Sequence, residues 1–501
     1  MKLFLRAAAF VGVILGLIGA CSVARAAPHA NAFYVAADGA DTNPGTLAAP
    51  WRTIQHAADT LAPGDTVYVR GGIYHERVRI TRSGANGNFI TFAAYTNETP
   101  VIDGTGIRVK SGWDPLVRIQ DASYIRVEGF EIRNFKTRRV NRVPIGILIW
   151  GAGTAIEIRR NRIHDIKTNY RGVEGGDAHG IAAYGTRAPD SIRQLVIDGN
   201  ELYALKLGSS EALVVNGNVE HFAITNNIVR DSNNIGIDAI GFEGVAPDEA
   251  YDQARDGVIA DNLAYNIDSF ANPAYQGERS ADCFYVDGGT RIVIERNIAH
   301  HCNIGVELAS EHRGKATSYI TLRNNFIYQN SEGGILIGGY DRRRGRAEHC
   351  EILNNTLYDN DTRAQGNGEV YLQYDTRYNV IRNNILYAGA QNLFIGSWSK
   401  KMTANVVNHN WYFTNGAGQW QWQKKMYHSF AAYQAATGND AASTYGIDPA
   451  FQNLAAPDLH LQNNSPAIDR GENTNQAGAT DIDGQTRIQG AGIESGADEV
   501  Q

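Results

Sequence analysis

Four polar residues sit at equivalent points of a phrase that the chain repeats: Asn216, Asp238, Asp287 and Glu307. Beside them lie further ionisable groups: His179 and Tyr184, Lys206 and Glu211, Glu243, Glu311 and His312, and the run from Tyr340 through Arg342 to Arg344. Carboxylates brought close together repel and shift one another's pKa unless a cation sits between them. An amide, a lysine, a tyrosine and a histidine added to such a set can hold an anion and move protons. Taken singly, each has a plainer reading: Lys206 as a solvated lysine, His179 as a satisfied turn histidine, the arginine run as a charged loop. Core packing calls for none of the acids, and their convergence on neighbouring repeats points to a functional patch.

The phrase that carries them has six letters. It reads GILIWG from Gly146, GIAAYG from Gly180, ALVVNG from Ala212, GIDAIG from Gly236 and CFYVDG from Cys283, then GVELAS, GILIGG, EVYLQY and NLFIGS. Letters two and four are apolar throughout, as Ile147 and Ile149 or Phe284 and Val286 show. Strict alternation over so short a run marks a half-buried strand, with those letters facing a core and letters three and five facing outward. Letter three then gives Asp238 and Glu307, and letter five gives Tyr184, Asn216 and Asp287.

A second signal precedes each phrase. Asparagines at 161, 200, 227, 262, 297, 325, 355 and 384 are separated, by subtraction, by 39, 27, 35, 35, 28, 30 and 29 residues. Self-similarity at this period signals a solenoid. Two or three short strands per repeat, without helical periodicity, predict an all-β fold: a single-stranded right-handed parallel β-helix. In-register asparagines would then bond up and down its corners. Apolar residues at helical spacing between Pro50 and Ala62 predict a helix that covers the open end, because solenoid ends need caps. The expected organisation is a signal peptide at 1–26, an N-terminal capping module with the first rungs at 32–110, the β-helix at 111–410 and an irregular C-terminal cap at 411–501. In that last stretch Trp411, Tyr412, Trp420, Trp422, Tyr427, Phe430 and Tyr433 crowd together, either as a lid on the last rung or as a platform for sugar rings.

The apolar run Ala7 to Ala20 behind Lys2 and Arg6 is a secretory signal. Cleavage after Ala26 or lipidation at Cys21 both fit it, which predicts a secreted or periplasmic protein or an outer-membrane lipoprotein. No other apolar run reaches the roughly 18 residues of a membrane span. A net charge of -7 argues against nucleic acid as a partner. The chain is expected to act as a monomer. Cys283 and Cys302 fall on adjacent rungs and either pair or serve as small buried residues, as does Cys350.

The segments YVAADGADTNPGT, PWRTIQHAADTLAPGDTVYVRGGIYHERV and PVIDG resemble the opening of secreted bacterial β-helix polysaccharide lyases. The stretch LKLGSSEALVVNGNV, followed by NNIGIDAIGFEG, SADCFYVDGG, IGVELASEHRGK and GGYDRRRG, resembles the alginate-lyase-like members that act on uronate polymers. The resemblance implies β-elimination of an anionic polysaccharide, with Lys206 as base and Tyr184 as acid, and Arg342 as a substitute. His179, Asn216 and Glu243 would bind or neutralise the uronate carboxylate, with Glu211, Glu311, His312 and Tyr340 as further substrate contacts. Some relatives hold Ca²⁺ there, which would fall to Asp238, Asp287 and Glu307; the residues by themselves demand no cofactor. Three alternatives stay open. They are a hydrolase using Asp238 with Asp287, although the NTD, DD and RIK phrases of polygalacturonases are absent; a C5-epimerase, although DPHD is absent; and a non-catalytic glycan-binding coil.

Overall fold

The structure, a computed structural model, describes residues 31–500; the signal segment and Cys21 lie outside them. Three parallel sheets run along the molecule, and the chain visits them in a fixed order. One turn illustrates the path: phrase strand His179–Gly185, second-sheet strand Ile192–Asp198, third-sheet strand Glu201–Tyr203, then a loop into the next phrase strand, Leu213–Gly217. The fold is therefore the expected right-handed parallel β-helix. Letters two and four of the phrases line its interior, with Ile147, Ile149, Ile181, Leu213, Val215, Ile237, Phe284 and Val286 all in one continuous core.

The asparagines form the corner between the second and third sheets. From Asn161 to Asn410, each side-chain amide donates to the oxygen of the next asparagine at 2.8–3.0 Å. Each of these oxygens accepts a main-chain N–H as well, as Asn262 does from Asn227 at 2.9 Å. The sharp corner leaves main-chain groups pointing inward, and the ladder satisfies them.

Phrase strands break their alternation at letter one. The register passes from Ile145–His179 directly to Ile147–Ile181, and from Asp282–Ile304 to Phe284–Val306. The N–H groups of Gly180 and Ile181 share one acceptor, the Ala212 carbonyl, at 3.0 Å each. Two N–H groups on one acceptor interrupt the ladder as a bulge does, and because adjacent rungs share the irregularity the register is the same on either side of it. A Cβ on Gly146, Gly236 or Gly334 would stand 2.5 Å from a carbonyl oxygen of the following rung, which explains the glycine that opens so many phrases. The consequence for the site is that the residue before letter one turns outward beside letters three and five.

The helix Ile54–Thr60 buries Ile54, Ala57 and Ala58 in the core at the open end. At the other end Tyr412, Trp420 and Tyr433 are buried in the same core, so the aromatic stretch is a lid. The closing residues do not share in that lid. They fold back along the asparagine corner, where Asn324, Asn354 and Asn383 donate to the carbonyls of Ala477, Glu494 and Glu472 at 2.9–3.0 Å. These corner amides face away from the ladder and capture the chain's return. Cys283 and Cys302 form a disulfide, and Cys350 is free and buried. Among the described residues, no helix is long and apolar enough to cross a membrane.

Candidate active site

Parallel stacking places the outward letters of successive phrases side by side, about 4.8 Å apart. Asn216 pairs in register between Tyr184 and Ile240. Asp238 lies between Val214 and Tyr285, and Tyr285 neighbours Glu307. The bulge brings His179, Glu211 and Asp282 onto the same face. The outcome is a crevice whose floor buries Glu211, Asp238, Asp282, Asp287 and Glu307. Side chains expected to face outward do so, but the loops that follow each turn cover them.

So many carboxylates in a dry space cannot all stay charged. Burial first, then the neighbouring acids, hold Glu211, Asp238 and Asp282 well above the usual carboxylate range. The same causes raise Asp287 and push Glu307 up to about 8. Countercharge is sparse: Arg344 reaches Glu311 at 3.5 Å and lies over the Tyr340 ring at 4.5 Å. Two acid oxygens, Asp238 Oδ1 and Asp282 Oδ1, are buried without a hydrogen-bond partner. Asp287 Oδ1 accepts the Glu311 N–H at 2.7 Å. Ligand atoms of Glu243, Asp287 and His312 lie within 4.8 Å of one another.

These features fit a divalent cation. Carboxylate oxygens are hard ligands of the kind Ca²⁺ prefers, and a histidine widens the choice toward transition metals. Of the three acids expected to hold it, Asp287 converges with Glu243 and His312, while Asp238 and Glu307 stand on neighbouring rungs outside that triad.

One end of the crevice is aromatic. Trp113 stacks on His179 with centroids 5.5 Å apart and meets Tyr184 edge-on at 4.3 Å. Trp150 lies parallel to Tyr184 at 6.0 Å, and His179 is 6.0 Å from Tyr184. Burial depresses His179 to about 4, so its ring is neutral. Tyr184 is raised well above 10.0 by burial and then by Glu211 and Glu243, so its hydroxyl keeps its proton. Asn216 donates to Glu243 Oε2 at 2.7 Å.

The structure thus gathers His179, Tyr184, Glu211, Asn216, Asp238, Glu243, Asp287, Glu307, Glu311, His312 and Tyr340 along one strip. It does not bring in Lys206 or Arg342. Lys206 lines a separate cleft of about 1120 Å³ with Arg138, Tyr170 and Arg171. It projects from the corner between third-sheet and phrase strands, whereas the crevice lies on the face of the phrase sheet. Arg342 lines a cavity of about 360 Å³ with Tyr374, Trp398 and Lys401 further along the coil.

Three members of the site escaped the sequence. Asp282 did, because strict alternation assigns the residue before letter one to the interior and only the bulge turns it out. Trp113 did, because its strand, Gly112–Gln120, lacks the phrase. Tyr275 did, because it sits in a short 3₁₀ helix, Pro273–Tyr275, outside the phrases: it faces Asn234, Asp282 and Glu211, and burial raises its hydroxyl.

Comparison with known proteins agrees with this architecture. Residues 33–184 match the model of a Pel9A-like, right handed beta helix region, and residues 266–431 that of a right handed beta helix region. Pectate lyase PEL9 of Emericella nidulans is 27% identical over 191 residues, 37% of this chain and 45% of that protein. The structure of XylC with xylose has a TM-score of 0.52 at 12% identity, covering 93% of this chain and 98% of the other, a likeness of fold. The uncharacterized protein YwoF of Bacillus subtilis (strain 168) is 41% identical over 465 residues, 92% of this chain and 97% of that protein. The chain belongs to the same family as YwoF, a family of right-handed parallel β-helix proteins related to polysaccharide lyases.

Proposed function

We propose that this protein is an exported, monomeric polysaccharide lyase that cleaves a uronate polymer, alginate or pectate foremost, by β-elimination in the crevice. One observation carries the reading: a neutral histidine and a protonated tyrosine share a rung, 6.0 Å apart, beside a cluster of acids. His179 takes the proton from C5 of the sugar. The C4–O bond breaks, a C4–C5 double bond forms, and Tyr184 gives its proton to the departing oxygen. A divalent cation held by Glu243, Asp287 and His312 would neutralise the uronate carboxylate and so stabilise the charge that develops at C5. Trp113 orients the imidazole, and Asn216 ties Glu243 to the rung of Tyr184. A panel of uronate polymers, scored for ultraviolet absorbance of the unsaturated product with and without chelator, tests this. Chain cleavage that yields reducing ends without that absorbance would refute it.

That second outcome belongs to hydrolysis, which the buried, protonated Asp238 with its unpartnered oxygen could support together with Asp287. An epimerase would yield neither product. Of the aromatic stretch that a glycan-binding coil would use, Trp420 and Tyr412 are fully covered by the end of the coil, while Trp422, Tyr427 and Phe430 are half-buried.

A further inference from the structure

The large cleft beside the crevice has a charge pattern of its own. Its lining includes Arg138, Arg171 and Lys206 and no carboxylate. All three cations are exposed, and none makes a side-chain hydrogen bond or ion pair. Lys136 pairs in register with Lys167, and Lys167 with Lys206, so three lysines stack on three successive rungs. Only Lys167 has a partner, Asp165 at 2.6 Å. Like charges stacked on adjacent strands repel, and nothing in the protein relieves the outer pair. Asn169, Asn233 and Thr168 add polar groups to the same walls, and Tyr170 adds a ring. One loop separates the two spaces: Pro273 and Ala274 line the cleft, while Tyr275, the next residue, faces the acids of the crevice.

We propose that this cleft is a docking site for a polyanionic polysaccharide, holding the uncleaved stretch of the chain whose reacting sugar enters the crevice. The ligand carries one carboxylate per sugar, and Lys206, Arg138 and Arg171, the cations that line the cleft, pair with successive carboxylates. Neutral hydroxyls bond to Asn169 and Asn233. The proposal rests on the lyase reading for the identity of the polymer, but its binding chemistry stands separately. Lys206 anchors the chain here and moves no proton.

Affinity electrophoresis of the full chain through gels containing polygalacturonate or alginate tests it. Fully methyl-esterified polygalacturonate, which has the same backbone without the charge, is the control. The wild type should be retarded by at least one charged polymer and not by the ester, and the retardation should fade with added salt. The variant Arg138→Glu/Arg171→Glu/Lys206→Glu should bind about tenfold or more weakly, with its melting midpoint unchanged because all three sites are exposed. His179→Gln should be retarded like the wild type while forming no unsaturated product. If the wild type is retarded but releases no product, the lyase reading fails and the docking site stands. Equal retardation by the ester, unchanged retardation of the triple variant, or none by either charged polymer would overturn the docking site.

Discussion

His179 Nδ1 lies 3.1 Å from the main-chain carbonyl oxygen of Glu211 and 3.6 Å from the side-chain oxygen Oε2 of the same residue. A carbonyl can only accept, so Nδ1 carries the hydrogen of the neutral ring. Nε2 is left with its lone pair, the form a base needs. Glu211, protonated by burial and by Glu243, does not draw a second proton onto the imidazole.

Replacement of either proton carrier should therefore stop elimination without unfolding the coil. His179→Gln and Tyr184→Phe should each lower the rate by about 10²–10⁴-fold. Product absorbance measures the rate, and circular dichroism confirms the fold. A loss of under tenfold for both would remove them from the chemistry.

The acids of the crevice give the cation-free protein a distinctive pH dependence. Glu307 titrates at about 8 in the folded chain against 4.5 in a free side chain. The folded form thus holds a proton that the unfolded form has released, and stability falls as pH rises from about 5 through 8. Calcium should restore the melting midpoint at pH 8 and have little effect at pH 5, where protons occupy the oxygens. Thermal melts in chelator and in calcium at both pH values decide this. His179 acts with the opposite sign, costing stability only as pH falls from 6.5 toward 4.

Removing one of these acids should strengthen the cation-free fold. Asp238→Asn exchanges a buried, repelled carboxyl for a neutral amide of similar shape. At pH 8 in chelator it should gain about 1–3 kcal/mol, read from urea denaturation, while losing activity. A destabilised variant would show that Asp238 serves packing.

The asparagine corner predicts the reverse. Asn262 donates to Ile224 O and Asn297 Oδ1 at 2.9 Å each, and its oxygen accepts two bonds from Asn227. Asn262→Ala leaves those partners buried and unsatisfied, a loss of about 2–4 kcal/mol. Denaturant titration should show it with the crevice chemistry intact.

The coil was legible in the sequence because its two strongest constraints are local. Alternation at letters two and four reports the core, and the recurring asparagine reports the corner. The outward letters were legible for the same reason, which is why Asn216, Asp238, Asp287 and Glu307 fall on one strip. What failed was depth and direction. No residue type marks the bulge that turns out Asp282, since Cys283 occupies the letter that many other phrases fill with glycine. Nor does spacing reveal that Lys206 emerges at a corner rather than on a face. The carboxylates read as exposed; loops contributed by other turns bury them, and such cover is a tertiary property.

Asn161 meets Asn200, 39 positions on, at 3.0 Å, and Asn200 meets Asn227, only 27 positions on, at 2.9 Å. Pitch is thereby uncoupled from insert length. Evolution can exchange the connecting segments like cassettes, retailoring which sugars reach the crevice while the spine that bears it keeps its dimensions.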